Sequence, residues 1–160
     1  MRNISVLICL FLLTISFYNC TDTSSLHHNH QGISDFLDRI GGDDASEKIL
    51  TSLDASLSED NRDVFIITSK DDKPYIKGSS ILAVTTGINW YRNHYANINI
   101  SWNQLSIDDI KNYHFPVPER EERRICDADY RYYLNYCTFS YSMSVWTWER
   151  WEQELDWMAL

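Results

Sequence analysis

A chain of 160 residues, 44% hydrophobic and 23% charged, has the size of one ordinary domain and is neither disordered nor wholly membrane-embedded. Its 14 Lys+Arg against 23 Asp+Glu leave a net charge of −9, a field that repels phosphate backbones and argues against a nucleic-acid partner. Aromatic residues make up 14%, and ten of them crowd into residues 130–160.

The start is a short positive stretch, Met1-Arg2-Asn3, followed by an almost wholly apolar run over residues 4–17. Such a run is too short to span a bilayer comfortably and suits the apolar core of an export signal, so residues 1–20 are expected to direct secretion. An uncleaved N-terminal anchor is the alternative. Cys20 lies where the apolar run meets the polar Thr21-Asp22-Thr23-Ser24-Ser25, as in a bacterial lipoprotein whose N-terminal Cys is acylated. Residues 17–19 lack the small residue usual before such a Cys. Leu26-His27-His28-Asn29-His30-Gln31 holds three histidines, but no nearby carboxylate or Cys completes a metal site, and the stretch reads as a solvated linker.

From Gly32 the pattern becomes globular. Phe36, Leu37 and Ile40 share a helical face opened by Ser34-Asp35 and closed by Gly41-Gly42. Ile49, Leu50 and Leu53 suggest a short helical or irregular stretch. Residues 64–68 are β-branched and aromatic; Asp71-Asp72-Lys73-Pro74 supplies a turn, and Tyr75-Ile76-Lys77 returns as the second strand of a hairpin. Gly78-Ser79-Ser80 stops that strand and caps a helix, on which Ile81, Val84, Thr85, Ile88, Tyr91 and Tyr95 form one stripe. A phosphate cradle at this turn would need a longer glycine pattern. Residues 98–102 alternate and predict a further strand. Nothing in this α/β layer clusters an acid, a base and a nucleophile.

Residues 113–118 are stiffened by proline and mark a boundary, and the mixed charges of residues 119–124 read as a solvated face. In Arg131-Tyr132-Tyr133-Leu134-Asn135-Tyr136-Cys137-Thr138 the residue types suit a strand that places Tyr133, Asn135 and Cys137 on one side. A ring, an amide and a thiol together suit the wall of a small polar pocket, as well as a satisfied core. Trp148, Trp151, Leu155 and Met158 then form an apolar helical stripe, with Glu149, Arg150, Gln153, Glu154 and Asp156 expected on its wet side. Carboxylates along a solvated face have nothing to separate their proton affinities, so none is assigned catalysis. Trp157 falls off the stripe. The run 157–160 ends apolar and uncapped, which is expected of a fold that continues.

Residues 131–142, followed by Trp146-Thr147-Trp148-Glu149-Arg150-Trp151-Glu152 and Asp156-Trp157-Met158-Ala159-Leu160, closely resemble the alpha-N-acetylglucosaminidase family. Lys77-Gly78-Ser79-Ser80, the Trp90-Tyr91 helix and Ile100-Ser101-Trp102 resemble the small N-terminal domain of that family. The resemblance implies a fold of a small α/β layer domain followed by the first strand and helix of a TIM-type (β/α) barrel. The chain then divides into a signal at 1–20, a linker at 21–31, the N-terminal domain at 32–117 and the beginning of the barrel at 118–160. The implied activity is exo-acting, retaining hydrolysis of terminal alpha-linked N-acetylglucosamine from glycans. By resemblance Asn135 and Cys137 line the sugar pocket, with Tyr141 adjacent to it. The two catalytic glutamates of the family fall on later barrel strands, so this chain is expected to be inactive by itself.

No cofactor or metal is expected. The rival reading is a non-catalytic surface lipoprotein that binds glycans through its aromatic end. Cys126 and Cys137 are expected to stay as thiols. Asn99-Ile100-Ser101 is a glycosylation acceptor only in a eukaryotic source. The expected location is the periplasm or cell surface if the source is bacterial, and the lysosome or the medium if it is eukaryotic.

Overall fold

The computed structural model describes residues 23–99, 101, 115–134, 136 and 141–160. Helix α1 spans Thr23–Gly41, and Gly42 leaves it with φ 79, the left-handed turn that glycine adopts without strain. A single turn, α2 (Ala45–Lys48), leads into strand β1 (Leu50–Leu53) and a 3-10 turn at Ala55–Leu57. Strands β2 (Val64–Lys70) and β3 (Lys73–Gly78) form the expected hairpin. Its turn is only Asp71-Asp72, both at positive φ, so the strands meet in the twist a two-residue turn favours. Helix α3 (Ile81–His94) follows, then edge strand β4 (Glu122–Ile125) and helix α4 (Trp148–Ala159).

Among the described residues the sheet has four strands in the order β1-β3-β2-β4, with β1 parallel to β3 and the other pairs antiparallel. Val64, Phe65, Ile66 and Ile67 are all buried, as suits a central strand. The core joins Ile33, Phe36, Leu37 and Ile40 of α1 to Phe65, Ile67 and Ile76 of the sheet and to Val84, Ile88 and Tyr91 of α3. Ser80 caps α3 as expected, its Oγ accepting from the Ala83 amide at 3.0 Å. Gly87 lets α3 lie close on the sheet, since a Cβ there would stand 2.8 Å from Ile76 Cγ2. Among the described residues no helix is long and apolar enough to cross a membrane.

The structure departs from the sequence reading at several points. Helix α1 begins at Thr23, running through the histidine stretch read as a linker, because nothing in it breaks a helix. Leu50–Leu53 is a strand, since the exposed edge of β3 offers a ladder that four residues can complete. Ile81 is exposed instead of joining the buried stripe of α3. Ile98 and Asn99 carry no strand, and Ser101 forms only a bridge; residues 100 and 102 lie outside the described residues. The fourth strand is instead the charged Glu122–Ile125, recruited through main-chain bonds to β2, with charge outward in the manner of an edge strand. Residues 131–134 are irregular, because a strand exists only with a hydrogen-bonded neighbour and no described segment provides one.

The chain divides into two compact units, Met1–Gln31 and Gly32–Leu160. All the packing described above from Ile33 onward belongs to the second. Within it, Phe115 packs on the core and the Tyr91 hydroxyl donates to the Pro116 carbonyl at 2.7 Å, so the proline-stiffened segment is pinned to α3.

Candidate functional site

Asn135 and Cys137, the two residues assigned to a pocket wall, lie outside the described residues, as does Cys20. Tyr141 is described, in a turn, and is 78% exposed. What the structure does place is the stretch of chain before Asn135. Tyr130, Arg131, Tyr132 and Tyr133 line one wall of a cleft of about 710 Å³, opposite Leu82 and Asn89 of α3 and Trp157, Met158 and Leu160 at the end of α4.

Each wall is held by identifiable bonds. Arg131 donates to Asp63 Oδ2 at 2.9 Å, anchoring the first residue of the aromatic segment to the loop before β2. Burial raises the Asp63 carboxyl, but bonds from Arg131, Ser80 and Ser79 outweigh it and hold the group below its ordinary value. Asn89 Nδ2 donates to the Leu160 carbonyl at 3.0 Å, joining α3 to the end of α4. Tyr133 meets Trp157 edge to face at 6.3 Å, and its hydroxyl is raised above its ordinary value by a hydrogen bond with Glu154. The cleft is thus an aromatic surface with an amide and a guanidinium at its margin, a chemistry suited to a sugar ring and its polar substituents.

Helix α4 forms where its periodicity predicts, with Glu149 and Gln153 exposed as expected, but two acids and two apolar residues exchange places. Trp148 is 64% and Leu155 46% exposed, whereas Glu154 is 0% and Asp156 7% exposed. The acids are buried because arginines meet them: Arg150 Nη2 donates to Glu154 at 2.8 Å, and Arg39 grips Asp156 with two bonds of 2.7 Å. Asp156 thereby ties α4 to α1, while the Glu154 bond lies within α4 itself. The solvated face on which the sequence reading placed Glu154 and Asp156 is not what the structure shows.

Cys126 is a free, half-buried thiol, pushed up chiefly by burial. The question of Cys137 lies outside the described residues. Among the described residues no group of three or more His, Cys, Asp or Glu side chains is arranged to hold a metal. The sequence reading missed Asn89, Arg131 and Trp157 as cleft residues. Trp157 alone carried a signal, as the one tryptophan off the helical stripe; Asn89 and Arg131 are typical surface residues by type.

Residues 31–117 match the family described as the alpha-N-acetylglucosaminidase (NAGLU) N-terminal domain, and residues 131–160 match the NAGLU tim-barrel domain. The human alpha-N-acetylglucosaminidase is 36% identical over 87 residues, which are 53% of this chain and 11% of that protein. A family 89 glycoside hydrolase from Clostridium perfringens, solved with 2-acetamido-1,2-dideoxynojirmycin, superposes with a TM-score of 0.74 at 25% identity, over 91% of this chain and 16% of the other. The same enzyme, solved with its substrate GlcNAc-alpha-1,4-galactose, gives a TM-score of 0.72 at 26% identity, over 87% and 16%. The chain therefore spans well under a fifth of the length of these relatives.

Proposed function

The chain belongs to the alpha-N-acetylglucosaminidase family of glycoside hydrolases, and from that premise we propose that it forms the N-terminal part of an exported, exo-acting, retaining enzyme that removes terminal alpha-linked N-acetylglucosamine from glycans. The observation that carries the reading is the succession of the two family matches, the N-terminal domain at 31–117 and the barrel at 131–160, in one chain. The Clostridium relative bound to GlcNAc-alpha-1,4-galactose supports the substrate class. In this reading residues 1–20 are the export signal, Cys20 is the lipid attachment point, and Asn135, Cys137 and Tyr141 contact or border the sugar.

Retention needs two carboxyl groups about 5 Å apart, one attacking the anomeric carbon and one donating the proton. The buried carboxylates of α4 are bound to arginines, so neither takes these roles. In this reading the two catalytic glutamates of the family fall on later barrel strands, and the chain of 160 residues is a binding and positioning element without hydrolytic power of its own. Purified chain incubated with an aryl alpha-N-acetylglucosaminide is expected to release no sugar above the buffer blank; measurable, enzyme-dependent release overturns that statement. A chimera in which residues 32–160 replace the matching segment of the Clostridium enzyme tests the family role. It is expected to hydrolyse the aryl glycoside, with Asn135→Ala raising KM about tenfold through the lost amide contact. A folded but inactive chimera counts against the reading.

The exposure of Tyr130, Tyr132, Tyr136 and Trp148 favours one second reading, a non-catalytic lipoprotein that stacks these rings on glycans. Saturable binding of N-acetylglucosamine-terminated oligosaccharides by a chimera-inactive chain is the result that would select it.

A further inference from the structure

Helix α4 docks against the rest of its unit with Glu154 and Asp156 inward, the opposite of what an amphipathic helix does unaided. Among the described residues, apolar contact with the core cluster comes from the end of the helix, where Ala159 and the following Leu160 touch it. Asn89 of α3 bonds the Leu160 carbonyl and Tyr133 meets Trp157, and beside these contacts stands an ionic tie to α1. Arg39 of α1 donates from Nε to Asp156 Oδ2 and from Nη2 to Oδ1, each at 2.7 Å, while its Nη1 stands 3.9 Å from Glu152 one turn earlier on α4. We infer that Arg39 is a positioning residue that sets the rotation of α4 about its own axis, and through it the wall of the aromatic cleft.

The geometry supports rotation control beyond simple attachment. A guanidinium fork binding both oxygens of one carboxylate fixes the plane of that carboxylate, which a single point charge does not. With Asp156 held at 7% exposure, its neighbour Trp157 faces the cleft and meets Tyr133, while Trp148 and Leu155 are left outside. A turn of the helix in either direction would bury an unmatched tryptophan or expose the Asp156 carboxylate, so the bidentate pair selects one setting. Arg39 lies in the stretch matched to the N-terminal domain and Asp156 in the stretch matched to the barrel. The small α/β layer thus orients the first barrel helix. The word barrel here rests on the family reading; the ion pair and its effect on α4 do not.

Amide hydrogen exchange on the whole chain, read by mass spectrometry, tests this without any sugar chemistry. Arg39→Ala is expected to speed exchange over residues 148–159 about tenfold or more while leaving residues 64–78 unchanged. Asp156→Asn should do the same, and the double variant should be no faster than either single one. Arg39→Lys should protect only partly, and the exchanged pair Arg39→Asp with Asp156→Arg should recover most of the protection. Unchanged exchange over 148–159 in both single variants overturns the inference, as does a parallel rise over 64–78, which would mean a general loss of stability. Arg39→Lys, the mildest change, keeps the comparison readable should the alanine variant unfold.

Discussion

Gly78→Ala is expected to destabilise the Gly32–Leu160 unit by about 3 kcal/mol or more. Gly78 ends β3, pairing with Phe65 on one side and Leu53 on the other. A Cβ there would stand 2.6 Å from the Val84 amide nitrogen, 2.7 Å from Val84 Cγ2 and 2.9 Å from the Ala83 carbonyl carbon. Two of those atoms are backbone in the first turn of α3, so relief cannot come from a side chain swinging aside. The helix must lift from the sheet instead, pulling Val84, Ile88 and Tyr91 out of the core and straining the Ser80 cap. Urea unfolding followed by tryptophan fluorescence measures it, with a fall in midpoint at constant slope as the expected signature. Gly32→Ala is the control of opposite sign: it sits exposed in α1 with nothing within 4 Å of a Cβ, and alanine should be neutral or add about 0.5–1 kcal/mol. A Gly78→Ala protein as stable as its parent would show that α3 is not held at this distance.

What the sequence disclosed and what it hid divide along range. Helix α3 and the β2–β3 hairpin were legible because their determinants are local: a serine cap, a periodic stripe and a two-residue acidic turn. Strand β4 was not, since Glu122-Arg123-Arg124-Ile125 has no alternation and its place comes from the main-chain ladder of β2. The burial of Glu154 and Asp156 on α4 was hidden for the same kind of reason. Periodicity finds the apolar stripe but cannot know that an arginine 117 residues earlier in the chain waits for the acid on the other side. The candidate site followed this pattern. Of the stretch 131–138, residues 131–133 line a cleft while Asn135 and Cys137 lie outside the described residues, and the cleft's Asn89 and Leu82 come from α3 and carry no mark in the sequence.

The tie between α3 and β4 makes the second large prediction, an alkaline crossing of two stability curves. Tyr95 donates to Glu122 Oε2 at 2.7 Å; Trp90 Nε1 and Arg124 Nε both donate to Glu122 Oε1, at 3.1 and 2.7 Å. Arg124 also lies 4.4 Å from the centre of the Trp90 ring, which stacks on His94 at 3.9 Å. Burial first, and then the neighbouring Glu122 carboxylate, push the Tyr95 hydroxyl from 10.0 up to about 12. The folded state therefore keeps a proton that the unfolded chain releases. The stabilisation due to Tyr95 is complete below about pH 10 and is lost as pH climbs towards about 12. Two units correspond to somewhat under 3 kcal/mol, and solvent screening of this partly exposed ring brings the expected loss to about 2 kcal/mol. Tyr95→Phe lacks this limb but gives up the hydrogen bond, worth about 1 kcal/mol at neutral pH. The parent should thus be the more stable protein at pH 7 and the less stable one near pH 12, with the urea midpoints crossing between. Glu122 supplies the acid counterpart. Burial alone would raise it, but bonds from Tyr95, Arg124 and Trp90 hold it below its ordinary 4.5, so its contribution persists above that value and fades as pH falls through the lower folded one. Glu122→Gln should flatten the acid limb and leave the alkaline limb smaller, because the phenol then faces an amide instead of a charge. Parallel curves for parent and Tyr95→Phe from pH 7 to 12 would show that the hydroxyl titrates freely and that β4 is held by its main-chain ladder alone.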